Sequence, residues 1–160
     1  MGGVSLTSTV LIALVALLVS AGVQDVRTRE IANWKNVAIA LLAPLWWWSN
    51  GLSMWPDMVV QFGLALLVFA LFVAAFHFGW MGGGDVKMIG ALALWLPLQP
   101  LLWMLIVMSL LGGVLTMLLL AERAARRRTA QIEVPYGVAI AIAALVVLRE
   151  PLFNHLGGYA

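Results

Sequence analysis

Long apolar runs, broken only by short groups of charged and turn residues, are the feature that most restricts how this chain can fold. Between Met58 and Phe76 the sequence has no charged residue and a single amide side chain, Gln61. A helix needs about 20 predominantly apolar residues to cross the hydrocarbon core of a bilayer. Because 64% of all residues are hydrophobic and only 10% are charged, we expect an integral membrane protein.

Six apolar segments predict an all-α fold, a polytopic bundle of about six transmembrane helices that forms one domain over residues 1–160. The second, fourth and sixth segments are shorter than the roughly 20 residues of a full span. The first lacks the basic leading region of a signal peptide, and we expect it to remain as the first helix. The segments are Val4–Gln24, Trp34–Trp48, Pro56–Phe78, Val86–Leu96, Pro100–Ala121 and Val134–Leu148.

Basic residues are distributed unevenly among the connections between these segments. Basic residues in short loops stay in the cytoplasm, so we expect the N-terminus outside and the odd-numbered connections inside. Trp46, Trp47 and Trp48 fall on the opposite side, where we expect them to anchor the second helix at the outer interface. Only Arg149 of the nine basic residues is expected outside; the eight others are Arg27, Arg29, Lys35, Lys87, Arg123, Arg126, Arg127 and Arg128.

The composition also excludes several kinds of site. The chain has no cysteine, so it has no disulfide, no thiolate nucleophile and no cysteine-based zinc site. We find no set of metal ligands in the sequence and expect neither a metal nor another cofactor. A formal net charge of +2 is too small to indicate a nucleic-acid partner.

Two aspartates fall at the same predicted boundary of the membrane. Asp25 follows the first apolar segment and Asp85 precedes the fourth, which places both at the cytoplasmic ends of their helices. Ionisable groups at the edge of the hydrocarbon are costly, and they indicate function. Two neighbouring carboxyl groups share one proton, so one can act as base and the other as acid, as in an aspartic protease. An ordinary helix N-cap remains an open alternative for Asp85.

The stretch MGGGDVKMIG, residues 81–90, is polar compared with its surroundings. Gly82, Gly83 and Gly84 carry no side chains, tolerate unusual backbone dihedrals and let another backbone approach closely. We expect them to bind an extended peptide substrate. A phosphate-binding loop is excluded because no Gly-Lys-Ser/Thr follows. Lys87 is a candidate for substrate binding, and snorkelling to the membrane surface explains it equally well.

Three segments together resemble the type IV prepilin peptidases, which belong to the GxGD group of intramembrane aspartic proteases. Gly82–Asp85 fits the GxGD signature, and DVKMIGAL, from Asp85, is similar to the family's GDVKL helix start. DVRTREIANWKN, from Asp25, resembles the family's first catalytic segment. VPYGVAIAIAA, from Val134, is similar to the PFGP-like start of a late helix. The order and spacing of the three segments agree over nearly the whole chain.

The resemblance implies that Asp25 and Asp85 are the catalytic pair of a prepilin leader peptidase at the inner face of the bacterial cytoplasmic membrane. The implied partners are a prepilin substrate, membrane lipid and the pilus assembly machinery. Larger members of the family also methylate the new pilin N-terminus and carry paired CxxC motifs after the first helix. This chain lacks those motifs and looks like the small peptidase-only type that serves Flp (tight-adherence) pili. It also departs from the family at Ala32, where proline is frequent.

Two functions of other classes are compatible with an apolar chain of this kind. Intramembrane carboxylates also serve as proton relays, so the alternative is a small proton-coupled carrier or channel subunit. A relay places acids at several depths or on both sides of the membrane, whereas Asp25 and Asp85 are expected at one face. A purely structural membrane subunit leaves the glycine-rich stretch unexplained.

Overall fold

The computed structural model describes residues 5–126 and 134–156, and this part of the chain is helical apart from its connections. The predicted all-α fold is therefore confirmed. A short π-helical turn, Met54–Met58, leads directly into the third helix. The α-helices described are α1 (Leu6–Thr28), α2 (Asn33–Ser49), α3 (Val59–His77), α4 (Gly83–Ala93), α5 (Leu98–Arg126) and α6 (Tyr136–Leu156).

Three ranges within the described residues are long and apolar enough to cross a membrane: Leu6–Thr28, Met54–His77 and Leu98–Ala125. In contrast, α4 has only 11 residues. At about 1.5 Å per residue it rises about 16 Å, roughly half the thickness of the hydrocarbon core. The expected set of six helices is confirmed, while the number that cross the membrane and the side on which the N-terminus lies remain predictions.

The short helix α4 is enclosed by other helices. It packs against α2, α3 and α6, while α6 also packs against α1 and α5. From Val86 to Ala93 every residue except Lys87 is buried. In contrast, α3 and α5 expose large apolar side chains such as Leu66 and Leu110, which suits helices surrounded by lipid. The bundle therefore holds α4 in its interior without α4 having to span the membrane.

The C-terminal end of α4 lies in the core, where its last carbonyl groups need hydrogen-bond donors from the protein. Gln61 Nε2 of α3 donates to the carbonyl oxygens of Ala93 and Leu96, both at 2.7 Å. Trp47 Nε1 of α2 donates to the carbonyl oxygen of Leu94 at 2.8 Å. These bonds replace hydration and allow a helix of three turns to end inside the bundle.

The expectation that three consecutive tryptophans anchor the second helix at the outer interface is only partly correct. Trp47 is 7% exposed and belongs to the core, whereas Trp48 is 74% exposed. Trp46 packs on Trp95, with 5.6 Å between the ring centroids, and Trp95 Nε1 donates to the carbonyl oxygen of Ile39 at 2.9 Å. Because successive residues of a helix point in different directions, only one of the three consecutive tryptophans is placed as an interfacial anchor.

The connection between α1 and α2 is short and tightly held. Arg29 ends α1 in the left-handed conformation, with φ of 56°.

Lys35, expected among the loop cations, instead lies buried in α2, and its Nζ donates to the Ser20 carbonyl oxygen at 2.8 Å and to Ser20 Oγ at 2.6 Å. Arg127 and Arg128 lie outside the described residues. The expected division of basic residues across the membrane therefore remains a prediction.

Candidate active site

Asp25 lies in the last turn of α1 and faces the beginning of α6. Its side chain is only 4% exposed. The backbone N–H of Val138 donates to Asp25 Oδ2 at 3.2 Å. Such a bond, at the positive end of a helix dipole, favours the ionised form of a carboxyl group. The beginning of α6 therefore stabilises the ionised form of Asp25, against the burial that disfavours a charge there.

Gly137 allows α6 to approach Asp25 this closely. A Cβ atom at this position would lie 2.9 Å from Asp25 Cγ and 2.7 Å from Ile31 Cδ1, both too close for a real side chain. The preceding residue, Tyr136, packs against Gly112 of α5. A Cβ atom added to Gly112 would lie 2.6 Å from the Tyr136 ring. Two glycines thus position the first turn of α6 against the carboxylate.

Asp85 lies in the first turn of α4, but it is not the N-cap. Gly82 occupies the N-cap position, in extended conformation. Burial, followed by the nearby charge of Asp25, raises the pKa of Asp85 to about 7, although the Gly82 backbone amide acts in the opposite direction. Because α4 is too short to span the membrane, Asp85 lies outside the spanning helices. Near neutral pH Asp85 can therefore both hold and release a proton.

The three glycines act through the space that they leave free and not through their backbone dihedrals. The unusual dihedral in this region belongs to Gly79, with φ of 73°, and none of the three glycines has a positive φ. A Cβ on Gly82 would lie 3.0 Å from Asp85 Oδ2, and one on Gly84 would lie 3.3 Å from Ile31 Cβ. These glycines therefore make room for Asp85 and Ile31 of the protein itself, and their expected contact with a substrate backbone stays a prediction.

A cavity of about 670 Å³ brings the sequence-predicted residues together. Both aspartates and all three glycines line it, although they come from α1 and from the start of α4. The connection between α1 and α2, the turn before α4 and the start of α6 complete the wall. The lining residues are Asp25, Arg29, Glu30, Ile31, Asn33, Gly79, Trp80, Met81, Gly82, Gly83, Gly84, Asp85, Val134 and Tyr136.

Lys87 does not line this cavity. Its side chain is exposed, and its Nζ donates to Asn33 Oδ1 at 2.8 Å. Asn33 itself lines the cavity on its other side. Lys87 is therefore one residue removed from the space between the aspartates, and its expected role in substrate binding stays a prediction.

Sequence reasoning missed several residues that shape this site. Gly137 and Val138 were seen only as part of a resemblance, and Ile31 was not singled out. Asn36 is 4% exposed, and its Nδ2 donates to the carbonyl oxygen of Gly84 at 3.2 Å. A signal for Asn36 was present in the sequence, because an amide that directly precedes the apolar run Val37–Trp48 needs a hydrogen-bond partner when it is buried.

The arrangement suits acid–base chemistry on a neutral substrate. At one carboxyl group a helix N-terminus stabilises the ionised form, and burial raises the pKa of the second to about 7, next to the same open space. Among the residues that the structure describes, no group of three His, Asp or Glu side chains converges as metal ligands would. The carboxyl groups of this cavity can therefore give and take protons without a metal ion.

Comparison with known proteins identifies the family. Searches of curated proteins and of solved structures found no significant match. The sequence model of the type IV leader peptidase family matches residues 12–117. This range includes most of α1, with Asp25, and all of α4, with Asp85, and it covers well over half of the chain. Together with three apolar helices of membrane-spanning length, the match shows that this chain is a membrane peptidase of the type IV leader peptidase family.

Proposed function

We propose that the protein is an intramembrane aspartic endopeptidase that removes the leader peptide from prepilins. The observation that carries this proposal is the shared cavity, in which Asp25 of α1 and Asp85 of α4 meet beside three glycines. The family match supports peptidase activity. The aspartic mechanism, the prepilin substrate and the role in pilus assembly are parts of the proposal.

The two carboxyl groups have different tasks in the proposed reaction. Asp25, whose ionised form is stabilised by the Val138 amide, takes a proton from a water molecule as the water oxygen attacks the scissile carbonyl carbon. Asp85 donates its proton to the carbonyl oxygen, which gives a neutral tetrahedral gem-diol. The proton on Asp25 then passes to the leaving amine while a diol hydroxyl returns its proton to Asp85, and the C–N bond breaks.

The glycine wall of the cavity suits an extended substrate. A peptide bond within a helix is shielded by its own hydrogen bonds, so the chain must be unwound where it is cut. Gly82, Gly83 and Gly84 present backbone without side chains along one wall. Such exposed backbone can pair with an extended segment, as in other cases of strand addition.

The charge of the cavity suits a basic leader. Glu30 lines the cavity together with the two aspartates, and Arg29 is the one basic residue among the lining residues of this part of the structure. A short, hydrophilic, usually basic leader in the cytoplasm would be attracted to this net negative charge. The absence of cysteine supports the peptidase-only type that serves Flp pili, with the pilus assembly machinery as a further partner.

The proposed location is the bacterial inner membrane, with multiple spans, the N-terminus outside and the cavity at the cytoplasmic face. Arg27 and Arg29 at the cavity end of α1 support this orientation by the positive-inside rule. Because the chain has no cysteine, single cysteines can be labelled selectively. Cysteine in place of Asn50 should react only with a reagent added from outside, and cysteine in place of Arg123 only after the membrane is made permeable.

A proton-coupled carrier is the competing function. Such a relay needs acids at successive depths, but Asp25, Glu30 and Asp85 all line one cavity. The deciding experiment adds purified protein in detergent to a prepilin and follows the pilin by mass spectrometry. We expect a product shortened at a single bond after the leader. Intact pilin, together with proton flux in reconstituted vesicles, would favour the carrier.

A further inference from the structure

A second cavity adjoins the first and has no assigned role. It has a volume of about 340 Å³ and lies between α2, α3 and α4. Asn33 lines both cavities, so the two meet at the start of α2. We call the second cavity the side groove.

The two long walls of the side groove change from polar to apolar in the same direction. On α2 the wall consists of Asn33, Asn36, Val37 and Ala40, which share one helix face at spacings of three, four and seven residues. Lys87 Nζ bonds to Asn33 Oδ1 at 2.8 Å, and this bridge marks the polar end. Beyond Asn36 the α2 wall is entirely apolar, so the groove turns apolar as it leads away from the aspartates.

The α4 wall repeats this pattern with small residues. Lys87 is followed by Gly90, Ala91 and Leu94 at the same helical spacings. An added Cβ at Gly90 would lie 2.6 Å from the ring of Phe69, which closes the groove on the α3 side. The missing side chain at Gly90 thus makes room for Phe69, and the rest of this wall, Ala91 and Leu94, is apolar. The groove therefore suits an apolar segment of a substrate.

We propose that the side groove binds the first apolar turns of the substrate's membrane segment, the part that directly follows the scissile bond. The proposal rests on the proposed function, because the scissile bond is placed by Asp25 and Asp85. A substrate with a hydrophilic leader and an apolar segment has the same order of polarity as the two joined cavities. Its leader lies in the larger cavity, and the apolar helix leaves through the groove.

The side groove is also open to a substrate that arrives from the lipid. Val37 is 55% exposed and Phe69 is 37% exposed, so the walls are accessible from outside the bundle. A membrane-embedded helix can therefore enter sideways without crossing the core. In this arrangement, Val37 and Ala40 contact the substrate and contribute to its recognition.

Photo-cross-linking tests the inference directly. The photoreactive residue p-benzoylphenylalanine replaces Val37 in the Asp85→Asn variant, which is reconstituted with a full-length prepilin. The matched control has the same residue in place of Leu110, which lies on α5, is 66% exposed and does not line the groove. We expect cross-links to the apolar segment of the prepilin from position 37 and not from position 110. Equal cross-linking from both positions, or cross-links from position 37 to lipid only, would overturn the proposal.

Filling the groove provides a second, kinetic test. Ala40→Phe should raise the KM for full-length prepilin about tenfold, while a short peptide that spans the cleavage site without the apolar segment is cut as before. Ala70→Phe, a change of the same size at an exposed position of α3, should affect neither substrate. An unchanged KM in a folded Ala40→Phe protein would contradict the inference. Cleavage by the wild-type protein, measured in parallel, tests the proposed function separately.

Discussion

The two ends of α4 are built differently. At the C-terminal end, Gln61 and Trp47 supply donors to three carbonyl oxygens at 2.7 to 2.8 Å, and both side chains are buried. At the N-terminal end, the helix starts with glycines beside an open cavity of about 670 Å³. Close packing and satisfied hydrogen bonds fix the C-terminal end of α4. The N-terminal end does not have to be packed as closely, and its residues can face an open cavity.

Asn36 combines a satisfied and an unsatisfied polar atom in one side chain. Its Nδ2 donates to the Gly84 carbonyl oxygen at 3.2 Å, but its Oδ1 is buried without a hydrogen-bond partner. A buried polar atom without a partner destabilises a protein by about 1–3 kcal/mol. Asn36 is therefore a poor choice for stability alone, and we infer that it is a positioning residue for the glycine wall next to Asp85.

Apart from the aspartates, Gly137 is the residue whose replacement should lower prepilin cleavage most. In Gly137→Ala, the new Cβ would lie 2.9 Å from Asp25 Cγ and would push α6 and its amide bond away from the carboxylate. Prepilin cleavage should fall about a hundredfold, within the usual range for disturbed acid–base catalysis. Gly113→Ala is the control, because no atom lies within 4 Å of its added Cβ. Equal activity of the two variants would contradict the role of α6.

The proton on Asp85 makes the activity depend on pH. Its pKa is raised to about 7, so Asp85 is protonated below this pH and loses its proton above it. With two carboxylates and no acid, the rate of cleavage should fall about tenfold per pH unit above 7. The measurement is kcat between pH 6 and 9, with circular dichroism to show that the helices persist. A rate that stays constant up to pH 9 would refute the assignment of Asp85 as acid.

Replacement of Asn36 should separate activity from stability. Asn36→Leu removes the bond to Gly84 and also removes the unsatisfied Oδ1. We expect cleavage to fall about tenfold, because the glycine wall loses its anchor, while the midpoint of thermal unfolding stays the same or rises. A parallel loss of activity and stability would show that Asn36 acts only in packing.

Replacement of Gln61 should lower the stability and leave the activity unchanged, which is the opposite of the result expected for Asn36. Gln61→Leu leaves the carbonyl groups of Ala93 and Leu96 without donors, and this should destabilise the protein by about 1–3 kcal/mol per orphaned group. Cleavage per folded molecule should be unchanged, because Gln61 does not line the catalytic cavity. The measurements are thermal unfolding in detergent and kcat at a temperature where the variant is folded. A loss of kcat at full folding would show that the two ends of α4 are not independent.

Much of the fold could be predicted because membrane helices leave a strong signal in the sequence. The six helices lie near the expected apolar segments, and Asp25 and Asp85, both at helix ends, line one cavity. The local motif around Gly82–Asp85 also marked the correct wall of the cavity. Hydropathy and short motifs were sufficient for these features because each depends on residues that are close together in the chain.

The features that were missed depend on contacts between distant segments. Neither the bond from Gln61 to Ala93 nor the bond from Val138 to Asp25 leaves a local pattern. The fourth helix was expected three residues too late in the chain, over Val86–Leu96, because glycines are poor helix formers. Gly83 and Gly84 nevertheless form the first turn of α4. Lys87 was placed with the aspartates by its position in the motif, but the helix turns it toward Asn33.

Substitution of each aspartate by asparagine tests the central claim, that Asp25 and Asp85 act as one catalytic unit, most directly. Asparagine keeps the size of the side chain but cannot exchange a proton with water. Asp25→Asn and Asp85→Asn should each lower prepilin cleavage about a thousandfold or more, and the double variant should be little worse than either. Asp57→Asn is the control, since Asp57 bonds to Ser53 away from the cavity. Near-normal cleavage by either cavity variant, at matched protein levels, would contradict the account.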